Sequence, residues 1–121
     1  MAGTVTKVEE IYGTIKKIKF SWTSTAGGVA DLETTEAYSG KILGLTTVPA
    51  GGGDAPDDNY NVTLLDEDSV DVLMDGGLLR DTADTEHVLS ASLGAVANDK
   101  LHIYITAAGA ANKGDVYVFI R

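Results

Sequence analysis

The chain contains no cysteine. A disulfide framework, a thiolate nucleophile and a sulfur-ligated metal are therefore excluded. Small extracellular domains often need such staples, so their absence favours an intracellular origin or stabilisation by assembly. Histidine occurs twice. His87 and His102 are far apart and lack a partner at ligand spacing, which leaves no zinc pattern. There is one tryptophan, few aromatics for a cleft that hosts catalysis. No apolar run approaches membrane-spanning length. The opening segment from Met1 to Lys7 lacks the apolar core of a signal peptide, so a soluble protein is expected. Positive charge is also scarce. With 9 Lys and Arg against 18 Asp and Glu, the net charge of −9 argues against a nucleic-acid backbone as partner.

What is present suits one domain spanning residues 1–121. A chain of 121 residues hides about two-thirds of its unfolded surface. A hydrophobic fraction of 44% supplies an ordinary core. Charge is unevenly placed. Lys7, Lys16, Lys17 and Lys19 outweigh Glu9 and Glu10 near the start. Between Asp54 and Glu86, eleven acids face only Arg80. That acidic block reads as a solubilising surface, or as a patch that steers the protein onto a basic rim of a partner or a neighbouring copy.

Alternation of apolar and polar residues dominates, and helical periodicity is hard to find. Leu101, Ile103 and Ile105 alternate with His102, Tyr104 and Thr106. Val116, Val118 and Ile120 alternate with Tyr117, Phe119 and Arg121. Successive strand side chains point to opposite faces, so each set lines one face. The small-residue segment between them predicts a β-hairpin. Thr4–Ile11 and Ile15–Thr23 read as strands, the second with Ile18, Phe20 and Trp22 on one face and a bulge near Lys16 and Lys17. Val29–Thr35 and Lys41–Val48 are a third and a fourth strand. Residues 49–59 have no apolar anchor and read as a mobile surface loop. Tyr60, Val62 and Leu64 share a strand face, Asp66 to Ser69 turn, and Val70–Met74 is a short strand. Glu86–Ala91 is a strand or a short helical turn.

Seven or eight short strands with glycine-rich connections predict an all-β fold, an antiparallel β-sandwich of Ig-like or jelly-roll-like topology. On the face of the expected hairpin opposite the aliphatic core stand Tyr104, Tyr117 and Phe119, where a solvated sheet is normally polar. Long loops cover those rings, or they form a subunit interface, where aromatics are enriched.

Several motifs fail on inspection. Gly109 to Gly114 has P-loop glycine spacing but lacks the following lysine and enters a strand. The acids of residues 66–75 are the best candidate for calcium, yet Val70 interrupts them and no glycine or distal glutamate follows in register. Lys16, Lys17 and Lys19 beside Phe20 and Trp22 resemble a single-strand nucleic-acid platform. An edge strand protected by lysines is the better reading at this net charge. Asn61-Val62-Thr63 fits the glycosylation pattern by chance. No nucleophile elbow or HExxH motif occurs. The sequence thus assigns no catalytic residue, no cofactor and no metal.

The segment from Lys17 to Ala30 resembles a group of small proteins from tailed-phage and prophage structural gene clusters. So do Thr47-Val48-Pro49, the run from Asp58 to Leu64, the run from Asp68 to Leu73, and the ending from Val116 to Arg121. The resemblance covers nearly the whole chain and carries no site residues. It implies a virion protein, with capsid decoration (cement) as the best fit: small, β-rich, often trimeric, and bound to the major capsid protein or other virion subunits. Neither nucleic acid nor membrane is an expected partner. A head–tail connector or tail-associated protein is the alternative, with residues 49–59 as a ring-closing loop. A carbohydrate- or host-binding module is a third reading, and an enzyme a fourth.

Overall fold

A computed structural model describes residues 3–121. Seven strands form: β1 (Thr4–Tyr12), β2 (Ile15–Thr23), β3 (Ala30–Pro49), β4 (Asn61–Leu65), β5 (Glu86–Leu89), β6 (Ala95–Thr106) and β7 (Lys113–Ile120). Two single 3₁₀ turns, Gly52–Asp54 and Ser90–Ser92, complete the regular structure. All pairings are antiparallel, in the order β1-β2-β7-β3-β6-β4, with β5 added on β3. The all-β, antiparallel class expected from the sequence is the one observed, and seven strands fall within the expected number.

The organisation turns on β3, a single strand of 20 residues. Its first part, Ala30 to Lys41, pairs with β6, and its second, Ile42 to Pro49, pairs with β7. The sequence predicts two strands here, ending at Thr35 and beginning at Lys41. They are one strand whose register shifts between Glu33 and Ala37, between Tyr38 and Gly40, and again between Ile42 and Gly44. Extra residues of this kind bend a strand and raise its twist, which lets one segment serve two ladders. At the crossover Gly40 has φ +140°, and a Cβ there would lie 2.6 Å from the Arg121 carbonyl oxygen. Lys41 and Arg121 exchange backbone hydrogen bonds of 3.0 Å beside it.

Both ladders contribute their inward side chains to one core. Ile18, Phe20 and Trp22 of β2, Val116, Val118 and Ile120 of β7, and Leu101, Ile103 and Ile105 of β6 are all buried in it. Each full burial of such a side chain stabilises the fold by about 1.5–3 kcal/mol. The inward sets are those the alternation indicated.

Pairing differs from expectation at several places. β6 and β7 are strands as predicted, but they do not form a hairpin. β6 pairs with β3 and β4, whereas β7 pairs with β2 and β3. The connection crosses from one ladder to the other, with Ala107, Gly109 and Ala111 at positive φ. No register shift interrupts β2 against either neighbour, so the bulge near Lys16 is absent and Ile15 simply joins the outer face with Lys17. β2 is also interior, not an edge. Val70–Met74 is not a strand: Asp71 makes one isolated bridge to Leu65, and the chain then turns from Val72 to Gly77. The 49–59 loop has an anchor after all: Pro56 is buried, its carbonyl accepts from the Thr82 hydroxyl, and Asp57 N–H donates to Ala108. Glu86–Ala91 divides into β5 and the second 3₁₀ turn.

Candidate interaction surface

The outer face of the ladder β1-β2-β7-β3-β5 is built from two rows of residues in register. One row runs Val8, Lys19, Tyr117, Thr46, His87 and the next Glu10, Lys17, Phe119, Gly44, Leu89. Directly opposed residues share a face, so Tyr117 and Phe119 stand side by side at its centre. Both rings are half-buried. The Lys17 and Lys19 ammonium groups lie 5.3 and 5.7 Å from the Tyr117 ring centroid, within cation–π range. Lys19 also reaches Asp115 at 3.9 Å. Phe119 lies against Gly44, where a Cβ would stand 3.7 Å from its Cδ2. At the rim, Val8 and Leu89 are 54% and 76% exposed.

Tyr104 belongs elsewhere. On β6 it stacks on His102, centroids 4.2 Å apart. His102 Nε2 in turn lies 2.7 Å from an Asp31 carboxylate oxygen. The expected interface residues Tyr104, Tyr117 and Phe119 are therefore not one patch. The structure brings Tyr117 and Phe119 together and sets Tyr104 on the other ladder, because the hairpin that would have aligned all three does not form.

That second outer face is acidic. Glu33, Asp66 and Glu67 line a recess of about 270 Å³ with His102 and Tyr104. Carboxylate oxygens of Asp66, Asp68 and Asp99 all lie within 4.8 Å of one another. Asp99, which sequence spacing could not connect to the turn, arrives on β6 next to Asn98 at φ +56°. Loss of solvent and the charges of Glu67, Asp66 and Asp68 hold the Asp99 carboxyl above its usual range. Asp71 does not join: its oxygens accept backbone N–H groups of Leu64, Leu73 and Asp75. Asp71 thus shapes the turn, and the 66–75 segment does not converge as a single loop of ligands.

A groove of about 400 Å³ crosses the first outer face at its far end, lined by the hydroxyl residues Thr4, Thr6, Ser21 and Thr23 with Lys113 and Asp115. In the interior, Trp22 Nε1, Thr47 Oγ1 and Tyr60 OH are buried with no hydrogen-bond partner among the described residues. Trp22 and Tyr60 pack with ring centroids 5.6 Å apart. Trp22 and Phe20 are buried on the core side, so neither stacks beside Lys17 and Lys19 as a nucleic-acid platform requires.

Sequence reasoning missed Lys17, Lys19, Val8 and Leu89 as companions of the two rings. Alternation opposes Lys19 to the face of Ile18, Phe20 and Trp22 but gives no face to Val8 or Leu89, and only strand order brings the four together. Comparison of the chain with protein-family models, with curated proteins and with solved structures finds no match.

Proposed function

We propose that this protein is a non-enzymatic docking subunit of a larger assembly, a tailed-phage virion protein that decorates the outer capsid surface. One observation carries the reading: Tyr117 and Phe119 sit side by side on an outer face, flanked by Lys17 and Lys19 and bordered by exposed Val8 and Leu89. Interfaces concentrate their binding energy in a few central aromatic or arginine side chains ringed by weaker contacts. The acidic second face would turn toward solvent or toward a basic rim of a neighbour, and its attraction would weaken with salt.

The expectation of a virion location and of capsid or other virion subunits as partners comes from the resemblance of the sequence to phage structural proteins. Co-sedimentation with empty capsids of the phage that encodes the protein tests it. Wild type should pellet with capsids. Tyr117→Ala and Phe119→Ala, both at half-exposed positions, should lose most binding while staying folded. A wild-type protein that remains in the supernatant contradicts the proposal.

The hydroxyl-lined groove beside Thr4 and Ser21 favours a second reading, a carbohydrate-binding module. Saturable binding to glycan arrays, abolished by Asp115→Ala, would support it over docking.

A further inference from the structure

We infer that two copies of this chain join edge to edge through β1, antiparallel about a two-fold axis at Val8. β1 ends the strand order and pairs only with β2. Among the described residues, no backbone hydrogen bond outside that ladder reaches it. A free strand edge nine residues long is a template for another strand.

Which backbone groups are free follows from the β1–β2 turn. Tyr12 pairs with Ile15 across the two-residue loop Gly13-Thr14, and Gly13 has φ +62°. Glycine at the first central position is the II′ hairpin turn, whose flanking pair is hydrogen-bonded. Hydrogen-bonded pairs recur at every second residue. Thr4, Thr6, Val8, Glu10 and Tyr12 therefore spend their N–H and C=O groups on β2. Val5, Lys7, Glu9 and Ile11 turn theirs to the open edge.

A second β1 must then oppose odd residues to odd residues, which leaves three central registers. Centring on Lys7 sets lysine against lysine, and centring on Glu9 sets glutamate against glutamate. Both put like charges directly opposite, which is destabilising. Centring on Val8 sets Lys7 against Glu9 of the second copy, twice by symmetry. It also sets Val5 against Ile11, Thr6 against Glu10, Thr4 against Tyr12, and Val8 against itself. In that register Val5 meets Ile11, Val8 meets itself, and each Lys7 meets a Glu9, with no like charges opposed.

Exposure agrees with this pairing. Val8, Ile11 and Tyr12 are 54%, 63% and 59% exposed, a cluster of large hydrophobics on this one edge. The second strand would cover them. Lys7 and Glu9 point toward the inner side, a placement that normally discourages edge pairing. Here Lys7 has a partner in Glu36 at 2.6 Å and Glu9 accepts from the Tyr38 hydroxyl, so covering the edge leaves neither charge without a partner. Their order along the strand selects one register instead of blocking all of them.

Such a contact is isologous and closes on itself, so it yields dimers and not the trimer expected from the resemblance. It does not depend on capsid docking, and its test uses the purified full chain alone. Because the chain has no cysteine, single introduced thiols report the register. In a non-hydrogen-bonded pair the Cα atoms are about 4.5 Å apart, within the roughly 4.4–6.8 Å a disulfide spans. Under mild oxidation of dilute protein, Val8→Cys should convert to a covalent dimer. Thr6→Cys and Glu10→Cys should each stay uncrosslinked alone and crosslink when mixed. Light scattering should give twice the chain mass for wild type. Glu9→Lys should raise the dimer dissociation constant about tenfold or more, and adding Lys7→Glu should restore dimers. Val8→Cys that stays monomeric, Thr6→Cys that crosslinks alone as fast as Val8→Cys, or a wild-type monomer or trimer would each overturn the inference.

Discussion

Gly114 lies against the indole of Trp22 so closely that a Cβ at position 114 would stand 2.7 Å from Trp22 Cζ2. β2 and β7 pair directly at these two residues. The glycine makes room for a ring that fills the end of the core. Gly114→Ala should destabilise the fold by about 1–3 kcal/mol, the usual cost of overpacking. Urea unfolding measures it, and an unchanged midpoint would contradict this packing.

Tyr60 is fully buried and its hydroxyl has no hydrogen-bond partner among the described residues. Burial pushes its phenol up to about 12, while the nearby Thr47 hydroxyl, short of hydrogen-bond geometry, pulls the other way. An acid whose pKa is raised by folding contributes stability below its unfolded pKa and loses it as pH climbs toward the folded value. That window runs from about 10 to about 12. Tyr60→Phe should leave neutral stability unchanged or raise it by up to about 1 kcal/mol. It should also resist alkaline unfolding in that window. Circular dichroism across the alkaline range checks both.

Asp99 faces Asp66, Asp68 and Glu67, and its raised pKa means that folding favours its protonated form. The folded state is therefore penalised as pH rises through the usual carboxylate range, and the penalty persists at neutrality. Asp99→Asn should raise the melting temperature at pH 7. The gain should shrink below pH 4 and in high salt, which screens exposed charges. A lower melting temperature at neutral pH would show that the carboxylate is needed where it stands.

Glu36 behaves in the opposite sense. Hydrogen bonds from Lys7 and Thr35 hold its carboxyl below its usual range. Burial lowers the Lys7 pKa, but hydrogen bonds to Glu36 and Tyr38 outweigh that and leave it raised. The Glu36 contribution is present above its unfolded pKa and is lost as pH falls through the folded value. Lys7 supplies its part up to its usual pKa and loses it at higher pH. Glu36→Gln should flatten the acid limb of the stability profile and leave the limb at pH 6–8 parallel to wild type.

Faces were legible in the sequence and partners were not. Alternation found β2 at its true bounds, put Tyr60, Val62 and Leu64 on one face, which is the buried one, and placed His102 on an outer face. It is a property of one strand, so it says nothing about which strand lies alongside. The six residues between β6 and β7 read as a hairpin loop because small residues and glycine suit any reversal. The chain instead passes to the other ladder, with Ala107 and Ala111 at positive φ along the way. The same gap explains the candidate site. Tyr117 and Phe119 were visible as surplus rings on a strand face. Lys17 and Lys19 joined them only when β2 paired with β7. Asp99 joined Asp66 and Asp68 through tertiary proximity, over a distance in sequence that no ligand pattern spans.

Hydroxyl-radical footprinting of the protein, free and mixed with empty capsids, tests the proposed docking face most directly, because oxidation reads side-chain exposure residue by residue. The account expects Tyr117, Phe119 and Leu89 to become protected while Tyr104 and His102 keep their reactivity. Protection of Tyr104 and His102 with Tyr117 and Phe119 unchanged would contradict it, as would no protection anywhere.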